Sequence, residues 1–339
     1  MAKKQTPNLD TFQLFPPILL ILYLCIGFIP NLQAVDKIAP QWLAMTGLNL
    51  ASLLTFFFYR ETLSKAISPV LSSLLSLTYI GFIAWAGLSY FYAINPTEVL
   101  VNITRQVNVL LMFLSMGILL YQMKQKRAFV SWALTLILGV EIYAVLAEAL
   151  EMVNTSGFIS SGTLKGVTAN RNITAFSLAI KLPFVLYLIH TLKKGSFKIV
   201  LSALVFLTLL GLSMIQSRAS FIATGLILVS YTILHLYLYL KVERKISQLL
   251  QIGFFVIPLV LAVVVNQTVI ADKGADALSR AATISVSTDD GSINQRLRYY
   301  EDVFTHIKSN PILGTGLGNW KLKSIDYDSK DINGYVVPY

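Results

Sequence analysis

The sequence predicts an all-α protein, a polytopic integral membrane helical bundle of about nine spans with an extracytoplasmic C-terminal segment. Of its 339 residues, 55% are hydrophobic and only 13% are charged, and the mean hydropathy is +0.66. A soluble protein of this length has too little interior to bury so much apolar surface. Nine apolar runs approach the roughly 20 residues that a membrane-spanning helix needs. They cover residues 13–31, 42–59, 68–91, 100–121, 128–150, 173–190, 198–215, 219–240 and 248–269.

The predicted domains are a transmembrane helical domain over residues 1–270 and a loop segment over residues 271–339. Lys3 and Lys4 precede a long apolar run without a small-residue cleavage site, so we expect the first run to be retained as a helix. The single cysteine, Cys25, lies in that run, which leaves no disulfide and no cysteine metal site.

The basic residues of the short loops predict the orientation. With a cytoplasmic N-terminus, thirteen Lys and Arg residues fall in inside loops, and six fall in outside loops, helix mouths or, for Lys181, deeper in a span. Short cytoplasmic loops carry an excess of basic residues, so this distribution favours a cytoplasmic N-terminus. Nine spans then place residues 271–339 outside the cytoplasm. The net charge of +10 therefore reflects topology and does not indicate nucleic-acid binding.

The sixth predicted span carries a polar stripe that runs from its outer mouth toward the middle of the membrane. Charges at that depth are costly and usually face the bundle interior or a wet cavity. Lys181 is therefore expected to have a functional role or to form a structural ion pair with Glu141 or Glu148 of the fifth span. The stripe consists of Asn170, Thr174, Ser177 and Lys181.

Several arginines gather near the predicted outer face. Arg105 lies near the outer end of the fourth span, Arg171 at the mouth of the sixth, and Arg218 in the tight turn before the eighth. A guanidinium stays charged and holds two oxygens in a fork, which suits a phosphate or pyrophosphate. No nucleotide pool is expected outside the cytoplasm, so a lipid is the simplest phosphate-bearing partner. The alternative for Arg171 and Arg218 is an interfacial arginine that reaches lipid phosphate.

The stretch over residues 291–320 is predicted to form an amphipathic helix and a glycine turn. Arg296 and Arg298 lie near the start of the helix, and Asn310-Pro311 ends it. Its apolar residues recur at spacings of three and four, as on one helix face. They are Leu297, Tyr300, Phe304 and Ile307.

The glycine turn follows directly, with Gly314, Gly316 and Gly318 at alternate positions. Backbone N–H groups in such a run can approach an anion or a sugar closely. The alternative for the whole stretch is an ordinary helix and tight turn lying on the membrane surface.

No metal or cofactor site is predicted. Asp289-Asp290 is a lone acidic pair, which is more typical of a solvated turn. The glycine run does not follow a strand of a βαβ unit, so it does not predict a dinucleotide site. His306 is the one histidine on the predicted outer side, and it lies on the amphipathic helix.

Three stretches of the chain resemble the O-antigen ligase and O-antigen polymerase family of bacterial envelopes. The first is GVTANRN at residues 166–172, leading into Ala175 and Leu182-Pro183. The second is Ser217-Arg218 at a helix start, and the third runs from Arg296 through NPILGTGLGN at residues 310–319. Together with the topology, the likeness covers roughly residues 70–320, and the third motif is the most specific.

The resemblance implies a metal-independent glycosyltransferase of the bacterial inner (cytoplasmic) membrane that acts in lipopolysaccharide or polysaccharide biosynthesis. Such enzymes take a glycan from undecaprenyl diphosphate on the periplasmic side and pass it to lipid A–core, a growing polysaccharide or a protein hydroxyl. Arginines hold the diphosphate, and by position Arg218 and Arg296 match the family best, with Arg171 a looser match. Supporting candidates are Lys181, Arg105, Asn170 and Arg298, with the glycine turn at Gly314, Gly316 and Gly318.

The family also places a histidine, thought to act on the acceptor hydroxyl, shortly after the glycine motif. The chain reaches Tyr339 before such a histidine, and His306 precedes the motif and does not match it. We therefore expect these 339 residues to be a truncated and inactive part of a ligase-type enzyme.

Three alternatives stay open. A polysaccharide polymerase or a protein O-oligosaccharyltransferase shares the same motifs. A solute transporter, for example of bicarbonate, favours inverted repeats and spans broken near the midplane, and the sequence shows neither clearly. A non-catalytic envelope scaffold is the third.

Overall fold

The computed structural model describes residues 9–36, 38–168, 170–283 and 291–328. Every regular element in these ranges is helical and none is a strand, which confirms the predicted all-α class. Eight helices of the described ranges are long and apolar enough to cross a membrane, so the chain is a multi-pass membrane protein. In chain order, the α-helices are α1 (Leu9–Leu24), α2 (Ala39–Phe58), α3 (Arg60–Leu71), α4 (Leu74–Leu88), α5 (Pro96–Tyr121), α6 (Lys126–Ser156), α7 (Arg171–Thr191), α8 (Gly195–Ile215), α9 (Arg218–Tyr237), α10 (Ile246–Val265), α11 (Ala277–Ala282), α12 (Gly291–Ser309), α13 (Trp320–Lys323) and α14 (Ile325–Asp328).

The chain forms two compact units. Unit 1 comprises residues 1–124 and 286–339, and unit 2 comprises residues 125–285. The predicted boundary at residue 270 divides the membrane-spanning part from the loop segment. It is a different kind of division from these two compact units, so it stays a prediction.

The first span is shorter than the predicted run over residues 13–31. Helix α1 ends at Leu24, and Ile26–Phe28 forms a 3₁₀ turn. Gly27 and Pro30 both disfavour a continued helix, glycine through its backbone entropy and proline through its missing N–H. The apolar part of α1, Leu14–Leu24, is accordingly outside the eight candidate spans.

The third span begins later than the predicted residue 68. Helix α3 ends at Leu71, and Ser73 starts α4 by accepting the Ser76 N–H on its hydroxyl at 3.2 Å. One face of α3 is apolar, and Leu63 and Ala66 are buried there with Ile118 of α5. A helix with one apolar face packs against the bundle instead of extending a span.

A buried polar network joins α1, α2 and α5 of unit 1. The Tyr23 hydroxyl donates to Asn49 Oδ1 at 2.8 Å, and Asn49 Nδ2 donates to the Asn108 carbonyl at 2.9 Å. Asn49 is 2% exposed, so its amide depends on these partners. The network fixes the register of these three helices.

The glycine turn packs against the α4–α5 connection of unit 1. Asn319 is fully buried, and its side-chain oxygen accepts the Asn95 N–H at 2.7 Å. The same amide donates to the Asn95 carbonyl at 3.2 Å, and the Leu317 N–H donates to Ser89 Oγ at 2.9 Å. These bonds tie the segment after α12 to the ends of two spans.

Gly316 and Gly318 make this close approach possible. Their φ angles are +90° and +76°, a left-handed region that is strained for residues with a side chain. A Cβ at Gly316 would lie 2.7 Å from Ala93 Cβ, and one at Gly318 would overlap the Asn102 side chain. Gly314 has φ +64° but faces open space. Packing therefore accounts for glycine at positions 316 and 318, and backbone conformation alone favours it at 314.

The main core of unit 2 surrounds α7 and α8. In the most apolar stretch of each of these helices 56% of the residues are buried, against 17% in the corresponding stretch that begins with α9. The largest fully buried side chains of this core include Leu178 and Leu182 of α7 and Leu212 and Ile215 of α8. Helices α7 and α8 are therefore the inner helices of unit 2, and α9 exposes most of its apolar surface.

An ion pair inside unit 2 joins α6 to α7. Lys181 Nζ lies 2.8 Å and 3.0 Å from the two carboxylate oxygens of Glu141, and Ser177 Oγ donates to Glu141 Oε1 at 2.9 Å. Both ionic residues are at most 8% exposed. Of the two interpretations of Lys181, the structure therefore shows the ion pair, with Glu141 as the partner.

We expect Lys181→Met to destabilise the protein by about 3–5 kcal/mol, because it leaves the Glu141 carboxylate buried without its cation. Unfolding in detergent, followed by circular dichroism, measures the effect. Lys193→Met is the control, since Lys193 is exposed. Equal stability of the two variants would show that the pair contributes nothing to the fold.

Gly318→Ala and Gly314→Ala form a matched pair for the glycine turn. Both introduce a Cβ at positive φ, at a cost of about 1–2 kcal/mol each. Only Gly318→Ala also overlaps Asn102, so we expect it to be at least about 1 kcal/mol more destabilising. Thermal unfolding and protease cleavage near residue 315 report the difference. Identical behaviour would contradict the observed packing of the turn.

Candidate functional site

Arg218 and Arg280 meet at the turn between α8 and α9 in unit 2. Arg218 is the first residue of α9 and donates from Nε to Thr283 Oγ1 at 3.3 Å. Arg280 of α11 donates from Nε to the Gln216 carbonyl at 3.4 Å, and its own carbonyl accepts from Thr283 Oγ1 at 2.7 Å. Both arginines are half-buried and both make further interactions. Two guanidinium groups beside the same turn suit a ligand with more than one negative charge.

Asp276 holds α11 against this turn. Its Oδ1 accepts the N–H groups of Leu278 at 3.0 Å and Ser279 at 3.1 Å, which caps the helix, and accepts from Gln267 Nε2 at 2.8 Å. Its backbone carbonyl accepts from Gln216 Nε2 at 2.9 Å. The hydrogen bonds from Gln267 and Ser279 lower the pKa of Asp276 to about 2. The cap is therefore ionised at neutral pH, and it fixes the helix that carries Arg280.

An apolar cavity of about 230 Å³ lies next to this turn, between α8, α9, α10 and α11. Arg218 starts the α9 face that continues through Phe221, Gly225 and Leu228 along one cavity wall, at spacings of three, four and three. Arg280 is adjacent to Ala281 in the α11 wall. An apolar cavity with cations at one end can take an amphiphile with an anionic head. The cavity is lined by Leu209, Leu212, Ser213, Phe221, Thr224, Gly225, Leu228, Leu259, Ala262, Val263, Ala277, Leu278 and Ala281.

Arg171 follows a loop that is hydrogen-bonded to the segment before α11. It is the first residue of α7, and the Asn170 side chain caps the helix by accepting the Asn172 N–H at 2.8 Å. The loop before it contacts the segment before α11, where the Ile159 N–H donates to the Lys273 carbonyl at 2.7 Å. This main-chain bond ties the loop that precedes Arg171 to the segment that leads into α11.

Glu148 of α6 holds the same loop from the other side. Its Oε2 accepts the N–H groups of Lys165 at 3.0 Å and Gly166 at 2.6 Å. Glu148 is therefore not the partner of Lys181. A carboxylate that accepts two backbone N–H groups fixes the loop that leads to Arg171.

Helix α12 of unit 1 presents Arg296 together with an exposed apolar stripe. Arg296 is exposed, and Arg298 is half-buried and has interaction partners. The stripe confirms the predicted amphipathic helix, but none of the described residues covers its side chains. Leu297 is 44% exposed, Tyr300 61%, Phe304 62% and Ile307 47%. Such a surface suits contact with lipid.

His306 lies on the opposite face of α12 and is buried among aromatic rings. Its Nδ1 lies 3.1 Å from the Tyr327 hydroxyl, and its ring centroid is 5.7 Å from that of Trp320. These contacts give His306 a packing role between α12, α13 and α14.

The structure assigns the predicted site residues to different units. Unit 2 contains Asn170, Arg171, Lys181 and Arg218, and unit 1 contains Arg105, Arg296, Arg298 and the three glycines. Arg105 forms an exposed ion pair with Asp36 at 3.1 Å and lies over the Trp42 ring. Asp289-Asp290 lies outside the described residues. Within the described ranges, no group of three or more His, Cys, Asp or Glu side chains is placed to hold a metal ion.

Sequence reasoning missed Arg280. Its one local signal is the Asp276-Ala-Leu-Ser279 sequence, in which Asp and Ser are typical of a helix N-terminus. That signal predicts α11 but does not predict that α11 lies beside the α8–α9 turn, because the contact joins residues 64 positions apart in the chain.

Residues 203–337 match the family model described as O-Antigen ligase. No curated protein and no solved structure gives a significant match to the chain. The matched region contains Arg218, Arg280, Arg296 and the glycine turn, and it implies a glycosyltransferase of the ligase or polymerase type. The predicted likeness before residue 203 rests on the sequence resemblance alone. The resemblance is confirmed for the rest, and the chain carries a domain of the O-antigen ligase family at residues 203–337.

Proposed function

We propose that the protein is an O-antigen ligase-like glycosyltransferase that moves a glycan from undecaprenyl diphosphate to lipid A–core or another periplasmic acceptor. The observation that carries this proposal is the position of Arg218 and Arg280 at one end of the apolar cavity between α8, α9, α10 and α11. A lipid-linked diphosphate has an anionic head and an apolar tail, and the two parts of this site are complementary to them. The site lies inside the region that matches the family.

The proposed chemistry is a displacement at the anomeric carbon of the donor sugar. The bond from that carbon to the diphosphate oxygen breaks, and its electron pair stays on the diphosphate. The acceptor hydroxyl oxygen forms the new bond, and its proton passes to a base, for which the family resemblance implies a histidine after the glycine motif. Charge on the diphosphate increases as the bond breaks, so arginines already in place stabilise the transition state more than the ground state.

Arg296 is proposed as a further diphosphate ligand because it lies in the most specific family motif and is exposed at the start of α12. Arg171 is proposed as a supporting ligand, since its loop is bonded to the segment that leads into α11. Lys181 and Asn170 support the site indirectly by holding α7 in place.

The proposed location is the bacterial inner membrane, with a cytoplasmic N-terminus and residues 271–339 in the periplasm. This orientation counts the short helix α1 as a ninth crossing, in addition to the eight longer helices. The distribution of basic residues over the short loops supports this orientation. The family match favours glycosyl transfer over the transporter alternative. A polysaccharide polymerase or a protein O-oligosaccharyltransferase uses the same donor chemistry, and the choice between them depends on the acceptor.

We expect Arg218→Ala and Arg296→Ala each to lower turnover by about 100-fold, as for loss of one donor to a developing anion. Arg280→Ala should also lower turnover and should weaken retention of undecaprenyl diphosphate. Replacement by lysine should restore only part of the activity, because a point charge does not reproduce the two-pronged contact of a guanidinium. The assay is glycan transfer from a purified lipid-linked donor by the protein expressed from its complete reading frame.

Arg127→Ala and Arg60→Ala are the matched controls, because both arginines are exposed and lie at the starts of α6 and α3. Both controls should keep full activity, and the expression level of every variant is measured. Full activity of Arg218→Ala and Arg296→Ala would contradict the proposed mechanism. Unchanged donor retention in Arg280→Ala would remove Arg280 from the site.

A further inference from the structure

A second cavity, of about 440 Å³, lies between α7 and α9 at the other end of unit 2. His235 lies 17 positions after Arg218, about 25 Å along the helix, so the His235 end of this cavity is remote from the arginine turn. Its walls are mostly apolar, with Pro183, Leu186 and Tyr187 on α7 and Leu226 and Ile227 among the α9 residues. Leu226 is 63% exposed, so the cavity is open to the lipid side of the helix pair.

We call this cavity the α7–α9 groove, and one of its ends is polar. His235 of α9 lines the groove and is 0% exposed, and its ring lies 5.2 Å from the ring of His190 and 4.4 Å from that of Tyr231, measured between centroids. Its Nδ1 lies 2.9 Å from Gln248 Oε1. With Gln248 Oε1 as the acceptor of this hydrogen bond, Nδ1 is the donor and Nε2 is left as an acceptor.

The Nε2 atom of His235 is buried and has no hydrogen-bond partner among the described residues. A buried acceptor without a partner is costly, so a donor in the groove stabilises this arrangement. A hydroxyl group supplies such a donor. The groove therefore has an apolar length and a polar end that selects for a hydroxyl.

Positive charge lies beside the polar end. Helix α7 ends at Thr191, directly after His190, and the exposed residues Lys193 and Lys194 follow. The two lysines after α7 attract a phosphate near this end.

We propose that the α7–α9 groove binds one phospholipid, with an acyl chain along Pro183 and Leu226 and an anionic, hydroxylated headgroup at His190 and His235. In this arrangement a headgroup hydroxyl donates to His235 Nε2, and the phosphate faces the lysines after α7. Phosphatidylglycerol has both features. With the N-terminus in the cytoplasm, the lipid comes from the cytoplasmic leaflet, away from the proposed donor site.

A second lipid-facing groove of unit 2 provides an internal comparison. It lies between α8 and α10, has a volume of about 510 Å³, and is lined by residues such as Ala203, Phe206 and Ile257. None of its lining residues has a buried polar atom without a partner. Size and apolar walls are thus shared by the two grooves, and the unpartnered imidazole distinguishes the α7–α9 groove.

The test is native mass spectrometry of the purified protein in detergent, titrated with phosphatidylglycerol or phosphatidylcholine of the same acyl chains. We expect the protein to bind one phosphatidylglycerol about tenfold more tightly than phosphatidylcholine. Ser230→Phe narrows the α7–α9 groove, and Ala203→Phe narrows the α8–α10 groove. Only Ser230→Phe should remove the tight phosphatidylglycerol, and His235→Phe should lower its affinity to that of phosphatidylcholine.

The outcomes separate the parts of the proposal. Equal binding of the two lipids to the unmodified protein would overturn headgroup recognition, even if Ser230→Phe reduced both. Equal retention of phosphatidylglycerol in Ser230→Phe and Ala203→Phe would overturn the assignment to this groove. Ser230 is exposed and Ser230→Phe leaves the His235 pocket residues intact, so its effect does not depend on refolding of the core. Neither result bears on glycan transfer at the Arg218 turn.

Discussion

The pairing of two carboxylates on α6, one buried and one half-buried, is the constraint on which the arrangement of unit 2 depends. Glu141 and Glu148 are seven residues apart, on one face of the helix. Glu141 binds Lys181 and fixes α7, and Glu148 accepts two backbone N–H groups and fixes the loop before α7. That loop is bonded to the Lys273 carbonyl, close to the start of α11. The carboxylate of Glu148 thus helps to position the segment that carries Arg280, through the loop before α7.

Each end of α9 lies beside an apolar cavity and cationic side chains, but the polar groups differ between the two ends. At its start, Arg218 lies beside Arg280 and an apolar cavity, which suits an amphiphile with a strongly anionic head. Near its end, His235 lies in an apolar groove beside lysines, which suits a headgroup with one phosphate and a hydroxyl. Helix α9 is largely exposed along its length, which suits lateral access from lipid to both proposed sites. A lipid-linked donor is the substrate class that such access favours.

Composition predicts the helical membrane fold because a chain in lipid must satisfy every backbone group internally. It does not predict contacts between distant segments. Lys181 is predicted as an intramembrane cation, but only the structure distinguishes Glu141 from Glu148 as its partner. Helix α3 has an apolar face that is visible in the sequence, yet its packing on α5 moves the start of the third span. The glycine turn is predicted as a ligand loop, and the structure adds a packing role through Asn102 and Asn319 that local pattern cannot reveal.

In the proposed function, a prenyl diphosphate binds with its head at Arg218 and Arg280 and its tail in the adjacent cavity. Photo-crosslinking with a prenyl diphosphate that carries a diazirine on its tail, followed by peptide mass spectrometry, tests this arrangement. We expect crosslinks to Phe221, Leu228 or Leu278, which line the cavity, and we expect these crosslinks to disappear when excess unlabelled undecaprenyl diphosphate competes. Crosslinks confined to the α8–α10 groove, around Phe206 and Ile257, would contradict it.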